Sequence, residues 1–581
     1  LEDYPDENDD RPYYMLIAHN AGYDFRFLLS YFHTIKTIEK GTGLMMAVCD
    51  YYFTKYRSDG TKYTKKLVFE IRDSLKMINM PLSKFGSCFN LEVKKEILPY
   101  DLYTEENVAK IDIDLKTCLS YVKEDEQAEY LSNAKRWNCY DGRRKKIDIL
   151  RYSQEYCMMD CLTLKAGYMK FRELCLEAID LDILNYISLA SMADDYLKIQ
   201  GCYDGVLKIC GIPRAFIQKC VVGGRTMCSE NKKHHITDRP LADFDAVSLY
   251  PSAMARMEGF LIGKPKIIKT FEPEKYDGYF VCIRVKKVNK RLKFPLCSYL
   301  TDKGIRMFSN DLDGRIVYLD KVGLEDWVKY QGGEYEFING YYYDEGFNPK
   351  IKETITYLFQ QRLKYKKENN PLQLVFKECM NSSYGKAYMK PIESDDDYIK
   401  NADFNKYINR HYNAIKQATE LANGKGWKVS VMKRVDKHYN NAQVGVEILS
   451  MSKRIMNEVM CLAEDLKLNM FYQDTDSIHL YNDQIEKLSS EYDKQYGKTL
   501  IGKGMGQFHT DFDMKGSCGD IVAVESIFLG KKAYVDKLMS KDKDGNTIYD
   551  YHIRLKGVPD NSIKYLAQTE YDGNVLQIYK D

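Results

Sequence analysis

The sequence predicts a mixed α/β protein with several domains. Its 581 residues exceed the usual size of a single domain. Short apolar runs typical of strands alternate with longer stretches of helical periodicity. The hydrophobic fraction of 44% is enough for large cores. No run of about 18 apolar residues predicts a membrane span. We therefore expect a soluble, intracellular protein, and the sequence leaves the cytoplasm, the nucleus and the mitochondrion open.

The cysteines and the charge balance exclude some classes of protein. The 16 cysteines include no CxxC pair, and the nearest approach is Cys157 and Cys161. This spacing predicts neither a zinc site nor a disulfide scaffold, and free thiols are expected. The formal net charge is only +2, so binding of nucleic acid would need local basic grooves. The basic runs at 143–146 and 231–235 are more often solvated faces than binding sites.

The N-terminal part of the chain combines strands with a helical region. The polar opening, EDYPDENDDRP, is typical of a linker tail. Because the chain begins with Leu1 rather than Met, we expect a longer natural polypeptide. The pattern then predicts a strand over 14–20, a strand over 66–75, a charged helical or loop segment over 104–150, helices over 151–200, and a glycine-rich boundary over 201–225.

The C-terminal part begins with a strand and ends its central region with a hairpin. In order, we predict a strand from 241, short strands and turns over 260–350, two helices within 351–390 broken at 369–371, a polar segment over 391–440, an amphipathic helix over 441–468, and a hairpin over 471–480. The polar segment is expected to be either a functional insertion or a surface loop.

Two segments place carboxylates where strands end. In ADFDAVSLYPS (242–252), Asp243 and Asp245 alternate and therefore point to the same face, and Pro251 is expected to end the element. In FYQDTDSIHL (471–480), Asp474 and Asp476 lie in a turn between two apolar runs. Taken alone, the first segment is equally typical of a solvated edge strand and the second of a solvated turn.

A third segment, KECMNSSYGK (377–386), places mixed chemistry on one helical face. Lys377, Asn381 and Tyr384 have the spacing of neighbours along a helix. A cation, an amide and an aromatic ring suit a triphosphate, a base and a sugar. Gly385 is expected to end the helix. The alternative interpretation is an ordinary amphipathic helix.

In this order, DxxSLYPS, KxxxNSxYG and YxDTDS resemble motifs A, B and C of the family B DNA polymerases. The resemblance implies an RNase H-like 3′–5′ exonuclease domain followed by a right-hand polymerase domain of palm, fingers and thumb. It implies two Mg²⁺ ions held by Asp245, Asp476 and the carbonyl of Ala246, with Asp474 in support. Mn²⁺ is expected to substitute for Mg²⁺. Hard oxygen ligands suit such ions, and carboxylates this close need a cation.

The resemblance also implies contacts with the substrates, which are dNTPs and a DNA primer-template. Tyr250 would pack under the sugar and reject a 2′-hydroxyl. The other nucleotide-binding residues implied are Ser248, Leu249, Lys377, Asn381, Tyr384, Arg362 and Lys366. The DNA-binding residues implied are Gly223 and Gly224 in a YxGG-like motif, Lys532 and Tyr534 in a KxY-like motif, and Lys556 in a lysine-glycine segment. In the YxGG-like motif, Val221 replaces the aromatic residue.

The N-terminal third resembles the exonuclease motifs of the same family. AHNAGYDFRF (18–27) matches the second motif through Asn20, Tyr23 and Asp24, and EYCMMDC (155–161) matches the third through Tyr156 and Asp160. Ser74 and Leu75, in the segment DSL (73–75), match one smaller motif, and Lys95 matches another. Asp24 and Asp160 would bind metal in 3′→5′ hydrolysis. The first motif, a DxE pair, is absent from this sequence, which leaves proofreading open.

The two smaller motifs and the long spacers resemble the protein-primed branch of the family, found in viruses and linear plasmids. That branch implies a terminal protein as primer and insertions near 260–350 and 391–440. The expected domains are an exonuclease domain over 1–200, a linker over 201–240, palm and fingers over 241–520, and the palm end and thumb over 521–581.

Other classes of function fit this sequence less well. An RNase H-like nuclease with a degenerate polymerase half would not keep Asp245, Lys377 and Asp476 together. A DNA-binding or scaffold protein without catalysis has no need of acidic residues at strand ends. A reverse transcriptase also pairs aspartates in a hairpin, but the helix motif and the exonuclease motifs do not fit it.

Overall fold

The computed structural model describes residues 13–40, 43–388, 394–422, 424–434 and 439–581. Within these ranges the chain forms two compact units. The first contains 13–196, Gln361–Cys379 and 394–434, and the second contains Leu197–Gln360, 380–388 and 439–581. None of the helices in the described ranges combines the length and apolar character of a membrane span.

The first unit is built on a seven-stranded sheet. Its strands lie in the order Tyr13–Ala18, Lys62–Asp73, Gly43–Tyr56, Thr34–Lys40, Ser394–Lys400, Gly426–Met432 and Ile415–Glu420. Tyr13–Ala18 runs parallel to Lys62–Asp73, and the other neighbours are antiparallel. Leu67, Phe69 and Ile71 alternate toward one buried face, as the strand period of two requires, and pack with Phe25.

The polar segment between motifs B and C belongs to this same sheet. Three of its stretches are strands, and the helix Asn401–His411 lies between the first two in sequence. Ser394–Lys400 pairs with Thr34–Lys40, and Lys428 bridges the strands by contacting Glu39 at 2.5 Å and Asp396 at 3.2 Å. The described part of the predicted segment 391–440 is therefore an ordered extension of the sheet. Residues 391–393, 423 and 435–438 lie outside the described ranges.

Helices and a small sheet complete the first unit. The helices are Gly22–Leu28, Phe85–Phe89, Glu105–Lys110, Leu115–Ser120, Gln127–Arg136, Ile149–Ile179 and Leu189–Ile199, and the small sheet pairs Asp112–Asp114, Lys146–Asp148 and Tyr140–Asp141. The helix Ile149–Ile179 begins where the Asp148 carboxylate accepts a hydrogen bond from Arg151 N at 2.9 Å. It ends at Asp180, which adopts the left-handed conformation.

The second unit is built on an antiparallel sheet. Seven strands follow the order Thr547–Leu555, Ala533–Lys541, Val522–Gly530, Leu241–Ala246, Ser477–Tyr481, Met470–Asp474 and Thr226–Cys228. Phe508–Thr510 pairs with the end of the central strand Leu241–Ala246, and His234–Ile236 pairs with Val522–Gly530. The central strand is buried at five of its six residues, and the exception is Asp245. Asp245 is therefore the one residue of this strand whose side chain is partly open to solvent.

The remaining elements of the second unit surround this sheet. The helix Ala442–Asp465 packs against Leu249–Arg256 and is buried along most of its length. A second sheet orders Lys266–Ile267, Glu334–Tyr343, Gly278–Lys287 and Ile316–Asp320, beside the helix Lys321–Gln331. Other pairs and helices are Phe260–Leu261 with Phe347–Asn348, Ser298–Leu300 with Arg306–Phe308, Gly211–Ile217, Ile485–Tyr496, Asp560–Glu570 and Val575–Lys580.

Several local predictions are confirmed, and two are wrong. The helices Lys350–Lys367 and Leu372–Tyr388 are separated at the predicted break, and the hairpin and long helix form as expected. Gly385 does not end its helix, which continues to Tyr388. Pro251 does not end the strand, which stops at Ala246. Pro251 instead lies in the first turn of the helix Leu249–Arg256, where the missing N–H has no helical partner to lose.

Candidate active site

Asp245 and Asp476 lie side by side at one end of the central sheet. Asp245 is paired across the strands with Ser477, the residue after Asp476. The backbone N of Ala246 donates a hydrogen bond to the carbonyl oxygen of Asp476 at 2.9 Å. The strand register therefore brings together the two carboxylates that the sequence motifs singled out.

This end of the sheet carries more negative charge than its surroundings neutralise. Burial, with Asp476, Asp511 and Asp243 nearby, raises the pKa of Asp245 to about 8. Burial also raises the pKa of Asp476 to about 6, with Asp474 and Asp243 adding to the effect and Lys532 opposing it. Crowded carboxylates with raised pKa values are what a divalent cation stabilises, because the cation replaces the protons. The donor set therefore fits Mg²⁺ or Mn²⁺.

Asp474 is neutralised by neighbours of its own. Lys532 Nζ donates to both of its carboxylate oxygens, at 2.8 Å and 3.1 Å. Thr226 Oγ1 donates to Asp474 Oδ1 at 3.2 Å. Asp474 thus forms an ion pair with Lys532, whereas Asp245 and Asp476 form no ion pair among the described residues. This arrangement suits Asp474 to a supporting role.

Three residues other than glycine hold a left-handed backbone around the carboxylates. Their φ angles are 51° at Ser248, 66° at Thr475 and 55° at Lys532. Such conformations cost free energy outside glycine and cluster at functional sites. Here they turn the chain sharply beside Asp245, between Asp474 and Asp476, and at the start of the strand Ala533–Lys541.

Gly224 of the YxGG-like motif lies directly against the turn that carries Asp474 and Asp476. A Cβ atom placed on Gly224 would lie 2.4 Å from Thr475 Cγ2. Beside this contact, Thr475 N donates to the carbonyl of Arg225 at 2.9 Å. The glycine is therefore required by the close approach of the turn.

Gly224→Ala is expected to displace this turn and lower the rate of the reaction that Asp476 serves by roughly 10²-fold, since displacements near 1 Å have that effect. The matched control is Gly530→Ala in the same unit, because a Cβ on Gly530 meets no atom within 4 Å. Steady-state rates of the two variants, with DNA binding measured in parallel, check this expectation. Equal rates for both would contradict it.

The predicted nucleotide-binding residues are divided between the two units. Tyr250 stacks on Tyr384 in the second unit, with ring centroids 4.1 Å apart and an interplanar angle of 18°. Ser248 precedes the helix Leu249–Arg256, Leu249 is buried, and Asn381 is exposed. The stacked pair presents a rigid aromatic surface on the same unit as Asp245.

Lys377, Arg362 and Lys366 belong to the first unit. The Glu378 carboxyl is affected by both Lys377 and Arg362, which lower its pKa against the larger raising effect of burial. Two of the predicted phosphate contacts therefore share one neighbourhood. Their contact with nucleotide stays a prediction.

The predicted DNA-binding residues differ in exposure. Lys532 and Lys556 are linked by a backbone hydrogen bond of 3.0 Å from Lys556 N to Lys532 O, and Lys556 is exposed. Tyr534, in contrast, is only 2% exposed and packs against Tyr472 and Phe528. Its ring lies in the core, so a contact with the primer strand would require the ring to become exposed. That contact stays a prediction.

Sequence reasoning missed a buried charge network beneath the carboxylates. His479, fully buried, lies 3.6 Å from Asp243 Oδ1 through Nδ1 and 3.3 Å from Asp536 Oδ2 through Nε2. His552 Nδ1 lies 3.0 Å from the same Asp536 oxygen. Ligand atoms of Asp243, His479 and His552 all lie within 4.8 Å of one another. The alternation of Asp243 with Asp245 was the available signal, but only the sheet order supplies the histidines.

The network links stability to pH. Burial lowers the pKa of His479, but Asp243 and Asp536 outweigh it and raise the pKa to about 9. A folded pKa above the unfolded value of about 6.5 means that this stabilisation is complete below about pH 6.5 and lost as the pH rises through 9. The loss at one such site is on the order of 3 kcal/mol.

His479→Gln is therefore expected to lower the melting temperature at pH 6.5 and to flatten its decline between pH 6.5 and 9. Thermal unfolding across this pH range is the measurement. His33→Gln is the control, because His33 is exposed. If His479→Gln declined with pH as steeply as the wild type, the ion pairs of His479 would not be the cause.

The predicted exonuclease residues gather in the first unit. Asp73 Oδ1 accepts hydrogen bonds from Asn20 N at 2.8 Å and Leu75 N at 3.0 Å. Ser74 Oγ donates to the Ala18 carbonyl at 3.1 Å and lies 3.0 Å from His19 Nδ1. The DSL segment thus fixes the start of the second motif, where Asn20 has a φ of 66°.

The third exonuclease motif, which contains Tyr156 and Asp160, lies in the same region as the second. Lys95 Nζ contacts Asp160 Oδ2 at 3.0 Å and lies 5.3 Å from the Tyr156 ring centre. Burial raises the pKa of the Cys161 thiol, and both Asp160 and Asp24 add to this, so the two carboxylates share one region. Tyr23 and Asp24 are exposed. In the described ranges, Asp24 and Asp160 join no cluster of three potential metal ligands.

The chain belongs to the family described as DNA polymerase type B, organellar and viral, whose model it matches over residues 10–465. The family recognised from motifs A, B and C is thereby confirmed. A relative from Ascobolus immersus, named "Probable DNA polymerase", is 24% identical over 492 residues, covering 80% of this chain and 36% of that protein. The chain spans about a third of the length of this curated relative.

Solved structures share the fold. Phi29 DNA polymerase complexed with primer-template DNA has a TM-score of 0.63 at 17% identity, covering 96% of this chain and 86% of that one. Phi29 DNA polymerase in an orthorhombic crystal form also has a TM-score of 0.63 at 17% identity, covering 94% and 84%. At this identity the similarity is one of fold, and it confirms the predicted mixed α/β class.

Proposed function

We propose that this chain is a template-directed DNA polymerase that adds deoxynucleotides to a primer 3′-hydroxyl. The observation that carries the proposal is the pair Asp245 and Asp476, crowded at the end of two paired strands with raised pKa values and no ion pair among the described residues. Family membership supports the reaction class. A binding protein would have no reason to keep two such carboxylates adjacent at this cost in free energy.

The residues of the second unit divide the work of the site. Asp245 and Asp476, with the Ala246 carbonyl, would hold two divalent cations. Bound there, the cations would lower the pKa of the primer hydroxyl and neutralise the leaving pyrophosphate. Lys532 pairs with the Asp474 carboxylate and fixes this side chain at the turn. Asn381 and Tyr384 line the new base pair, and Tyr250 excludes a 2′-hydroxyl.

Residues of the first unit supply further contacts with the substrates. Lys377, with Arg362 and Lys366, binds the triphosphate. The duplex is held through Gly223, Gly224, Lys532 and Lys556, and the predicted contact of Tyr534 requires its buried ring to become exposed. The domain boundaries proposed are an exonuclease domain over 1–200, a linker over 201–240, palm and fingers over 241–520, and the palm end and thumb over 521–581.

The enzyme is further proposed to start replication of a linear viral or plasmid genome from a terminal protein. This step rests on the two inserted segments, near 260–350 and 391–440, and on the DSL and Lys95 motifs. The ordered strands of 394–432 support an insertion with a defined surface. Transfer of a first deoxynucleoside monophosphate from a dNTP to a hydroxyl of a terminal protein, with release of pyrophosphate and Mg²⁺ present, is the reaction to seek.

A 3′→5′ exonuclease is the second function proposed, for the first unit. The shared neighbourhood of Asp24 and Asp160 supports it, as does the exposed Tyr23 available to unpaired DNA. Lys95 would pair with the Asp160 carboxylate until a cation binds there.

One gel separates these functions. A labelled hairpin DNA is incubated with Mg²⁺ and dNTPs, beside Asp476→Ala and Asp160→Asn. We expect extension by the wild type and by Asp160→Asn, and none by Asp476→Ala. Without dNTPs, shortening of the primer that disappears in Asp160→Asn would establish the exonuclease. Extension that survives Asp476→Ala would overturn the assignment of the carboxylates.

A further inference from the structure

Two cross-strand pairs bring four ionisable side chains together beneath the carboxylate site. Asp243 lies directly opposite His479 on the neighbouring strand, and Asp536 lies opposite His552 in the same way. His479 connects the two pairs, because its Nδ1 faces Asp243 and its Nε2 faces Asp536. The roles proposed for the polymerase and for the exonuclease use none of these four residues.

The gap between Asp243 and His479 has the width of a metal bridge. His479 Nδ1 and Asp243 Oδ1 lie 3.6 Å apart, and neither of these buried atoms has a hydrogen-bond partner among the described residues. A direct charge-assisted hydrogen bond would bring the two atoms to about 2.7–2.9 Å. Zn²⁺ forms bonds of about 2.0–2.2 Å to nitrogen and oxygen, which place neighbouring tetrahedral ligands roughly 3.4 Å apart. The observed separation is closer to that of two ligands of one ion.

His552 completes a set of two histidines and one carboxylate. One ligand atom from each of Asp243, His479 and His552 lies within 4.8 Å of the other two. Nitrogen and oxygen ligands in this ratio suit Zn²⁺ and similar transition metals, whereas Mg²⁺ prefers oxygen ligands in an octahedron. His479 is fully buried, but the side chain of His552 is 18% exposed. This opening suits a site with three protein ligands and water as the fourth.

Asp536 orients both histidines for a metal. Its Oδ2 lies 3.3 Å from His479 Nε2 and 3.0 Å from His552 Nδ1, and its Oδ1 accepts a hydrogen bond from Ser526 Oγ at 2.6 Å. A carboxylate that accepts a hydrogen bond from one nitrogen of an imidazole fixes its tautomer and leaves the other nitrogen as a metal ligand. For His479 the nitrogen left is Nδ1, the atom that faces Asp243.

Aromatic rings separate the cluster from bulk water. Phe512 and Tyr534 each pack edge-on against both His479 and His552, with ring centroids 5.3–5.9 Å apart. An apolar shell of this kind controls the access of water to a metal and strengthens the electrostatic attraction of its ligands. The surroundings are therefore those of a metal centre with one open position, and they differ from those of a solvated surface cluster.

We propose that Asp243, His479 and His552 bind one Zn²⁺ ion, with water as the fourth ligand. The ion ties the strand that carries Asp245 and the strand that follows Asp476 to a strand of the C-terminal region. It thereby fixes the sheet beneath the two carboxylates. The proposal does not rest on the proposed polymerase function. The pH dependence predicted above for His479 refers to the protein without this ion.

The test is calorimetric titration of the chelator-treated chain with Zn²⁺, in buffer with excess Mg²⁺. The wild type is expected to bind one equivalent of Zn²⁺. His552→Gln is expected to weaken this binding by about 100-fold, and the partial exposure of His552 makes its replacement compatible with folding. Zn²⁺ at about 100 times its dissociation constant is expected to raise the melting temperature of the wild type by about 3 °C and to leave that of His552→Gln almost unchanged.

Two controls locate the ion. His235→Gln replaces an exposed histidine of the same unit outside the cluster, and Asp476→Asn alters the carboxylate site. Both variants are expected to bind Zn²⁺ as the wild type does. The proposal would be overturned if the wild type bound no Zn²⁺, or if His552→Gln bound it as tightly as the wild type. Binding lost in Asp476→Asn but kept in His552→Gln would assign the ion to the carboxylate site and would equally overturn the proposal.

The absorption spectrum of bound Co²⁺ reports the coordination geometry. Four-coordinate Co²⁺ absorbs visible light much more strongly than six-coordinate Co²⁺, so the spectrum distinguishes the proposed site from a carboxylate site with several waters. The wild type with Co²⁺ and excess Mg²⁺ is expected to give the intense spectrum, and His552→Gln is expected to lose it. A weak, six-coordinate spectrum in the wild type would contradict the proposal. Failure of the polymerase proposal would appear separately, as absence of primer extension, which enters neither measurement.

Discussion

Asp476→Asn is expected to reduce the rate of nucleotide addition by about 10³-fold and to leave the affinity for a primer-template hairpin almost unchanged. The amide keeps the size of the side chain but cannot hold a cation with the same strength, and cations at such sites contribute several kcal/mol to the reaction. Asp245→Asn should behave alike, because the two carboxylates share one end of the sheet.

The measurement is single-turnover addition of one nucleotide by a preformed complex, so that binding does not enter the rate. Asp513→Asn is the matched control, an exposed aspartate near the same sheet that no predicted role involves. A loss below tenfold in both Asp245→Asn and Asp476→Asn would show that these carboxylates do not hold the reactive cations.

Tyr250→Ala is expected to lower the discrimination between deoxyribonucleotides and ribonucleotides by about 10²-fold, the order that one steric contact supplies. The Tyr250 ring is held flat against Tyr384, 4.1 Å away, so it cannot easily move aside for a 2′-hydroxyl. The quantity to compare is the ratio of kcat/KM for a dNTP to kcat/KM for the matching rNTP.

Tyr250→Phe keeps the ring and should keep the discrimination, which separates sterics from loss of the hydroxyl. Tyr384→Ala removes the ring beneath and should give an intermediate ratio, since Tyr250 is then less restrained. Discrimination that persists in Tyr250→Ala would place the selection of the sugar elsewhere in the site.

The parts of the site that sequence could predict are those formed by neighbouring residues. Asp474 and Asp476 lie in one turn between two apolar runs, and that hairpin forms as expected. The helix carrying Lys377 and Tyr384 follows from its spacing. Its end could not be predicted from Gly385, because glycine permits a helix end without requiring one.

The remaining features depend on contacts between distant segments. His479, Asp536 and His552 come from three strands, and Asp243 from a fourth, that only the order of the sheet brings together. The segment 394–432 has a polar sequence that does not predict strands. Its strands nevertheless extend a sheet begun by residues 13–73, because pairing with Thr34–Lys40 supplies backbone hydrogen-bond partners. The contact of Gly224 with Thr475 likewise could not be predicted from the sequence, because it depends on the pairing of Thr226–Cys228 with Met470–Asp474.

The most direct test of the polymerase proposal is a matrix of single-nucleotide additions. Four hairpin DNAs that differ only in the first templating base are each offered one dNTP at a time with Mg²⁺. The proposal predicts addition only of the complementary nucleotide, and none by Asp476→Asn. Addition that ignores the templating base, or no addition by a chain that binds all four hairpins, would contradict template-directed synthesis at this site.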